Sequence, residues 1–274
     1  MKQTLANLGT ANKSLPATAP KTRSGFPLQR LIVPIGLLIL WQVVTWLGVF
    51  SPSQLPAPLD VLSAGAELIR RNLLWRHISA SSLRVFSGFA VGSLLAIAFG
   101  LAIGLSRQVE DLFSPTLNAI RAIPSLAWVP LLILWMGIGE SSKVTLVAIG
   151  VFFPVFTNLV SGIHQIDRKL VEVGYAYGLK GLALAKEVLL PAALPSLLTG
   201  LRIGLAQGWL FLVAAELIAA SRGLGFLLID SQNTGRADVI VLSILLLALL
   251  GKLSDWLLSL LERRLLRWND TYRR

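Results

Sequence analysis

Long apolar stretches separated by short polar ones set the pattern of this chain. Residues 31–50, 85–105 and 144–163 contain no ionisable side chain. Each approaches the roughly 20 residues that a helix needs to cross a hydrocarbon core of about 30 Å. Residues 122–139 are also uncharged, but Pro124 and Pro130 interrupt them, so a helix that is short, kinked or preceded by a bend is expected. Residues 193–220 can cross once Arg202 and Glu216 are accommodated, and 239–258 once Lys252 and Asp255 lie near an end. Six transmembrane helices are therefore expected. No segment shows the alternating period of barrel strands, and a backbone in lipid must satisfy itself internally, so the fold class is an all-α polytopic membrane protein.

The segments between the spans refine this picture. Residues 1–30 carry Lys2, Lys13, Lys21, Arg23 and Arg30, no acid, and many Pro, Thr, Asn and Ser, the composition of a disordered basic tail. The apolar run that follows is longer than the core of a signal peptide, and FSPSQLPAP after it lacks a small-residue cleavage pattern, so a retained helix is expected. From Pro58 and Asp60 onward, Leu62, Ala66, Ile69, Leu73 and Leu74 recur near helical spacing. This predicts one or two short helices on the membrane interface, with Trp75 and Arg76 at headgroup level. The expected organisation is a tail over 1–30, a transmembrane domain over 31–262 and a second basic tail over 263–274.

Composition agrees: 54% of residues are hydrophobic and 14% charged, against about 25% charged in soluble domains. A net charge of +11 would fit nucleic acid only if a soluble basic domain remained outside the spans, and none does. It fits the Lys/Arg excess of cytoplasmic loops. With both termini cytoplasmic, 16 Lys and Arg fall inside and seven outside, so that orientation is predicted. The absence of cysteine, with only His77 and His164, leaves almost no material for zinc sites, disulfides or thiol catalysis. No metal site is expected, and the spans hold no Ser-His or metal-ligand constellation of an intramembrane enzyme.

Residues 164–192 form an unusually long polar connection and must fold into something. Arg168–Tyr177 reads as a short helix ended by Gly178, a residue free to take the left-handed conformation. Residues 181–190 read as a second, with Pro191 and Pro195 in the opening turn of the next span. Such a helix pair presents a side-chain surface to a partner, or else lies on lipid headgroups.

The spacing Glu172, Gly178, nine residues to Val188, then Leu190-Pro191 resembles the EAA motif of permease subunits of ATP-binding-cassette (ABC) importers. Val173 and Gly174 stand where that family usually has two alanines, and Val188 where it has Ile. The helix cost of Gly174 relative to Ala is about 1 kcal/mol. The stretches RAIPSLAWVPLLILWMGIGESSK (121–143), VAAELIAASRGLGFLL (213–228) and LLGKLSDWLLSLLERRLLRWN (249–269) resemble the nitrate, taurine and aliphatic-sulfonate branch, the last most like the aliphatic-sulfonate permease. The resemblance implies a type I permease fold in the bacterial inner membrane with a cytoplasmic coupling helix pair at 164–192. Glu172, Gly178, Val188, Leu190 and Pro191 would mark the loop that couples to a separate ATPase, Glu172 by a hydrogen bond or ion pair at its surface and Gly178 by allowing the sharp turn. It also implies a second copy of the chain, two ATP-binding subunits carrying ATP and Mg, and an extracytoplasmic solute-binding protein that delivers a small organic anion. This chain itself would bind no cofactor, since Gly251-Lys252 is followed by Leu253 and lacks the P-loop pattern. The contrasting reading, a self-sufficient secondary carrier, lacks an inverted repeat and a chain of intramembrane carboxylates.

Within the spans, small residues four apart (Gly88 and Gly92; Gly100 and Gly104; Gly200, Gly204 and Gly208) predict close helix approach, either within the subunit or at a dimer seam. Arg202 and Glu216 lie about 21 Å apart along one helix and cannot pair with each other. Arg202 is expected to snorkel or to meet a neighbouring carboxylate. Glu216 would repel an anion, so a structural or gating ion pair with Arg84 or Arg222 is expected. Arg84, Ser87, Ser125 and Trp128 are the candidates for meeting an oxyanion in the pathway.

Overall fold

A helix that is apolar all round buries itself in lipid or in other helices, and glycine decides how close two such helices come. The computed structural model describes residues 31–267, so the tail expected over 1–30 and residues 268–274 lie outside the described residues. The described residues form the helices α1 (Ile32–Trp46), α2 (Pro58–Arg70), α3 (Leu73–Leu105), α4 (Arg107–Ala122), α5 (Trp128–Met136), α6 (Glu140–His164), α7 (Arg168–Ala176), α8 (Gly181–Leu184), α9 (Leu190–Ala219), α10 (Leu224–Asn233) and α11 (Ala237–Leu265). Four stretches are long and apolar enough to cross a membrane: Leu73–Leu105, Glu140–His164, Gly181–Ile218 and Ala237–Leu265.

The core is a sandwich of three long helices with α6 in the middle. Its Val147, Val151, Val155 and Leu159 are fully buried, packed with Val85 and Ala96 of α3 and Leu205 and Leu212 of α9. Gly88 faces Val147, Gly100 faces Leu159 and Gly104 faces Ile163, so α3 runs parallel to α6. Gly200 faces Asn158, Gly204 faces Val155 and Gly208 faces Val151, so α9 runs antiparallel to it. The expected small-residue faces are thus used within one chain. As a result the start of α3, the start of α6 and the end of α9 meet at one end of the molecule. The end of α6, α7–α8 and the start of α9 meet at the other.

Outside the core, α2 and α10 pack on α11 through Ala64, Leu68, Leu224, Leu227 and Val239. Arg236 ties these parts by ion pairs to Glu67 of α2 (3.1 Å) and Asp238 of α11 (2.8 Å). Those two carboxylates, Asp238 foremost, push its pKa above the ordinary guanidinium value. No residue of α1 is buried, as expected of a helix whose surroundings are lipid.

The remaining expectations are met in part and changed in part. The interfacial segment holds one separate short helix, α2, within the one or two expected, but from Leu73 the chain is already the 33-residue α3, which takes in Trp75 and Arg76. No Gly or Pro interrupts residues 73–84, and Ser81 and Arg84 are held inside protein, so the helix runs on past the predicted start of the span. The stretch 122–139 bears out the expected short helix preceded by a bend. It spans the end of α4, a 3-10 turn at Ser125–Ala127 and the nine-residue α5, with Ile123 extended as a residue before proline must be. The second short helix at 181–190 is not set apart from the following span. A π-helical turn at Ala185–Leu189 joins α8 to α9, closed by a hydrogen bond from Leu190 N–H to Ala185 C=O, just before Pro191. Pro195 lies inside α9 instead of in its opening turn. Finally, α11 continues to Leu265, past the predicted tail boundary at 263.

A Cβ at Gly92 would stand 2.5 Å from the Ala148 carbonyl oxygen, whereas one at Gly36 in α1 meets nothing within 4 Å. Gly92→Ala should therefore force α3 off α6 at a cost of about 1–3 kcal/mol. Gly36→Ala should be neutral or slightly stabilising. Thermal unfolding of the two detergent-solubilised variants, followed by size-exclusion fluorescence, measures the contrast.

Candidate functional site

At the end where α3, α6, α9 and α10 converge, a buried arginine holds two carboxylates. Arg84 is 2% exposed and Glu216 not at all. Two guanidinium nitrogens of Arg84 donate bidentately to Glu140 (Nε to Oε2, 2.6 Å; Nη2 to Oε1, 2.7 Å), and the third donates to Glu216 Oε1 (2.5 Å) and to the Arg222 carbonyl (2.6 Å). Ser81, one helical turn before Arg84, donates to the Glu216 carboxylate at 2.9 Å and accepts from Leu224 N–H at 2.8 Å. Gly225 N–H donates to Glu216 Oε2 at 2.8 Å. At the N-terminus of α10 the carboxylate thus meets the N–H of Gly225 directly and that of Leu224 through the Ser81 hydroxyl, an arrangement that stabilises an anion at a helix start.

Gly223 makes that approach possible. Its φ is +126°, and a Cβ there would run into the Glu216 carboxylate. His77 Nδ1 lies 2.9 Å from Gly223 O and 3.1 Å from Gly223 N. It donates to the first in one tautomer and accepts from the second in the other. Lys143, buried, adds a positive charge 3.9 Å from Glu140, and Arg222 adds another at 3.6 Å.

The opposite end carries the α7–α8 hairpin. Asp167 caps α7 by accepting from Lys169 N–H at 2.9 Å. At the other end of α7, Gly178 with φ +79° donates to Tyr175 C=O, and Leu179 N–H to Gly174 C=O. This pair of bonds is the Schellman stop. Gly174 is buried where α7 crosses the next helix: a Cβ would come 2.8 Å from Leu184 and 3.1 Å from Val188. Glu172 is exposed, with Arg168 one turn away at 3.1 Å. Val173, Tyr175, Tyr177 and Leu182 are exposed apolar or aromatic side chains beside it.

Two of the cavities that border α6 are large. One, of about 500 Å3, is almost wholly apolar and is lined by Trp128 of α5 together with Val91, Leu95, Leu117 and Phe152. The other, of about 380 Å3, is lined by Arg121 of α4, Phe153, Thr157 and Asn158 of α6, and Gln207 and Phe211 of α9.

Of the residues singled out from sequence, Arg84 and Glu216 are brought into direct contact. Arg222 joins them through its backbone and reaches Glu140 with its side chain. Ser87 lies half-buried on α3 one turn from Arg84, Ser125 in the 3-10 turn, and Trp128 on the apolar cavity. Glu172, Gly178, Val188, Leu190 and Pro191 gather at the α7–α9 end. Arg202 meets carboxylates of α11, Asp255 at 2.9 Å and Glu262 at 3.1 Å. Sequence reasoning passed over Glu140, Lys143, Ser81 and His77, which lay in connections assigned to the membrane surface. Asn158 and Gln207 are uncharged amides inside apolar spans, so neither hydropathy nor charge marks them. The Gly-Leu-Gly at 223–225, seven residues beyond Glu216, was the available signal for the helix start that cradles it.

Residues 88–267 match the family of binding-protein-dependent transport system inner membrane components, and the chain belongs to it. It is thus the membrane permease subunit of an ABC transporter, an inner-membrane protein and not an enzyme. Among individual proteins it is similar to the aliphatic sulfonates transport permease protein SsuC of Escherichia coli (strain K12), 44% identical over 88% of this chain and 91% of that one. The SsuC protein of Bacillus subtilis (strain 168) is 38% identical over 89% of each chain. The taurine transport system permease protein TauC of Escherichia coli (strain K12) is 37% identical over 89% of this chain and 92% of that one.

Removing one partner of a buried ion pair leaves an uncompensated charge, which costs about 3–5 kcal/mol. Glu216→Gln, facing Arg84 from full burial, should therefore lower the unfolding temperature of the purified protein markedly. Glu140→Gln, whose carboxylate is 51% exposed, should lower it much less. Equal losses in the two variants would show that burial does not set the strength of this cluster.

Proposed function

We propose that this chain is the membrane-spanning subunit through which an ATP-driven importer carries aliphatic sulfonates into the cell. The observation that carries the substrate is the 44% identity to the Escherichia coli SsuC protein along nearly the whole of both chains. Two copies of the chain would form the pathway. Two cytoplasmic subunits would bind ATP and Mg and close on each other, and a solute-binding protein would deliver the anion from outside. The 37% identity to TauC keeps taurine, itself a sulfonate, as the alternative cargo.

Six crossings are proposed: α1, α3, the broken pair α4–α5, α6, α8–α9 and α11. Both termini and the α7–α8 hairpin would be cytoplasmic, with tails over 1–30 and from about 263, and the Arg84–Glu216 cluster would face outside. The excess of Lys and Arg on the α7–α8 side supports that orientation.

The hairpin is the proposed coupling element. Its exposed Glu172 and aromatic rim offer a docking face, its Schellman stop at Gly178 keeps the turn tight, and Gly174 lets α7 sit against Val188. Leu190 and Pro191 begin the span that this unit would move. At the other end, the Arg84–Glu216–Glu140 cluster joins three crossings and is proposed as the outer gate. Ser87, one turn from Arg84, and Ser125 and Trp128 at the α4–α5 break, are proposed to border the path.

Cells lacking the chain should lose uptake of ethanesulfonate and longer alkanesulfonates while keeping nitrate uptake. Loss of taurine uptake alone would move the cargo to taurine, and loss of nitrate uptake alone would overturn the sulfonate reading. In the assembled importer, Glu172→Arg should abolish stimulation of ATP hydrolysis by loaded binding protein and leave the unfolding temperature unchanged, because its side chain is 61% exposed. Normal coupling in that variant would remove the hairpin from the proposed mechanism.

A further inference from the structure

The 380 Å3 cavity between α4, α6 and α9 has the chemistry of an anion site. Its only ionisable lining residue is Arg121, and among the described residues Arg121 makes no ion pair. Asn158 donates one amide hydrogen to Pro154 C=O at 2.8 Å, which leaves its second N–H free. The Gln207 amide has no hydrogen-bond partner among the described residues. Thr157 gives its hydroxyl proton to Phe153 C=O at 2.9 Å and offers only lone pairs to the cavity, so the donors are the guanidinium and the two amides. Opposite this polar edge stand the rings of Phe153 and Phe211.

Pro154 also has no N–H to give to Gly150 C=O one turn earlier, so that carbonyl on the cavity wall lacks its usual intrahelical donor. The neighbouring 500 Å3 cavity is the contrast. Apart from Ser141 and Thr145 it is lined by aliphatic and aromatic side chains, and it holds no charge, which suits lipid tails.

We propose that the Arg121–Asn158–Gln207 cavity is an intramembrane binding site for an amphiphilic oxyanion, the sulfonate of an alkanesulfonate held by those three donors and its alkyl tail laid against Phe153 and Phe211. This deepens the importer reading and rests on it for the cargo, though not for the preference for anions. A single positive charge with two amides binds loosely, as a stepping site in transport requires. The volume falls within the range of small-molecule pockets.

The chain contains no cysteine, so one introduced thiol reports on the cavity alone. In membrane vesicles holding the assembled importer, Thr157→Cys is labelled with the anionic 2-sulfonatoethyl methanethiosulfonate and with its cationic trimethylammonium analogue. Modification of this chain is read by mass spectrometry. Ile203→Cys, on the α9 wall, serves as a second reporter should the first fail to fold. The anionic reagent is expected to react about tenfold faster than the cationic one. The preference should vanish on adding Arg121→Gln, and ethanesulfonate should slow the reaction equally in vesicles with and without anionic lipid. Equal rates for the two reagents, or a preference indifferent to Arg121→Gln, overturns the site. Protection that depends on anionic lipid also overturns it, by assigning the cavity to a headgroup. If cells lacking the chain still take up sulfonates while the anion preference and its loss in Arg121→Gln persist, the cargo assignment fails and the oxyanion site stands.

Discussion

The close approach of α6 to both of its neighbours governs the rest of the molecule. Valines of α6 enter the gaps left by glycines of α3 and α9, which brings the backbones near enough for dispersion forces to act in an environment without a hydrophobic drive between helices. Because α3 is parallel and α9 antiparallel to α6, a slip along either contact would shift both ends at once. The same register that seats Val147 against Gly88 brings Arg84 to Glu140, and the register that seats Phe211 against Gly150 brings Glu216 to Arg84.

The ion clusters have a different part. Taking charges out of water costs as much as their attraction returns, so a buried pair adds little net stability, while losing one partner is severe. Their contribution is to make wrong arrangements costly. Arg84 demands α6 and α9 together, Arg202 demands Asp255 and Glu262 of α11, and Arg236 demands Glu67 of α2 and Asp238. These three arginines join parts of the chain that are far apart in sequence, and each has two carboxylate partners.

Much of this was legible in the sequence where a local rule governs. Hydropathy found α3, α6, α9 and α11, and the helix stop at Gly178 follows from the need of its backbone for the left-handed region. The glycine spacings predicted close contacts correctly, though not which helices would share them. What local rules miss is partnership across the chain. Glu140 and Lys143 read as a loop because nothing near them in sequence reveals Arg84. Arg121 read as one more inner positive charge, because Asn158 and Gln207 reach it only after three helices pack. The π-helical turn escaped prediction for a related reason. Proline at 191 signals a boundary, and only the packed structure shows the helix continuing through it by widening one turn.

That continuity has a mechanical meaning. From Gly181 to Ile218 the chain is one helical body of 38 residues, about 57 Å from end to end, with the hairpin at its exposed tip and Glu216 near its far end. A helix is stiff along its axis, so the π turn leaves the tip and the end beside the buried arginine as parts of one lever, and any displacement of the first would be felt at the second.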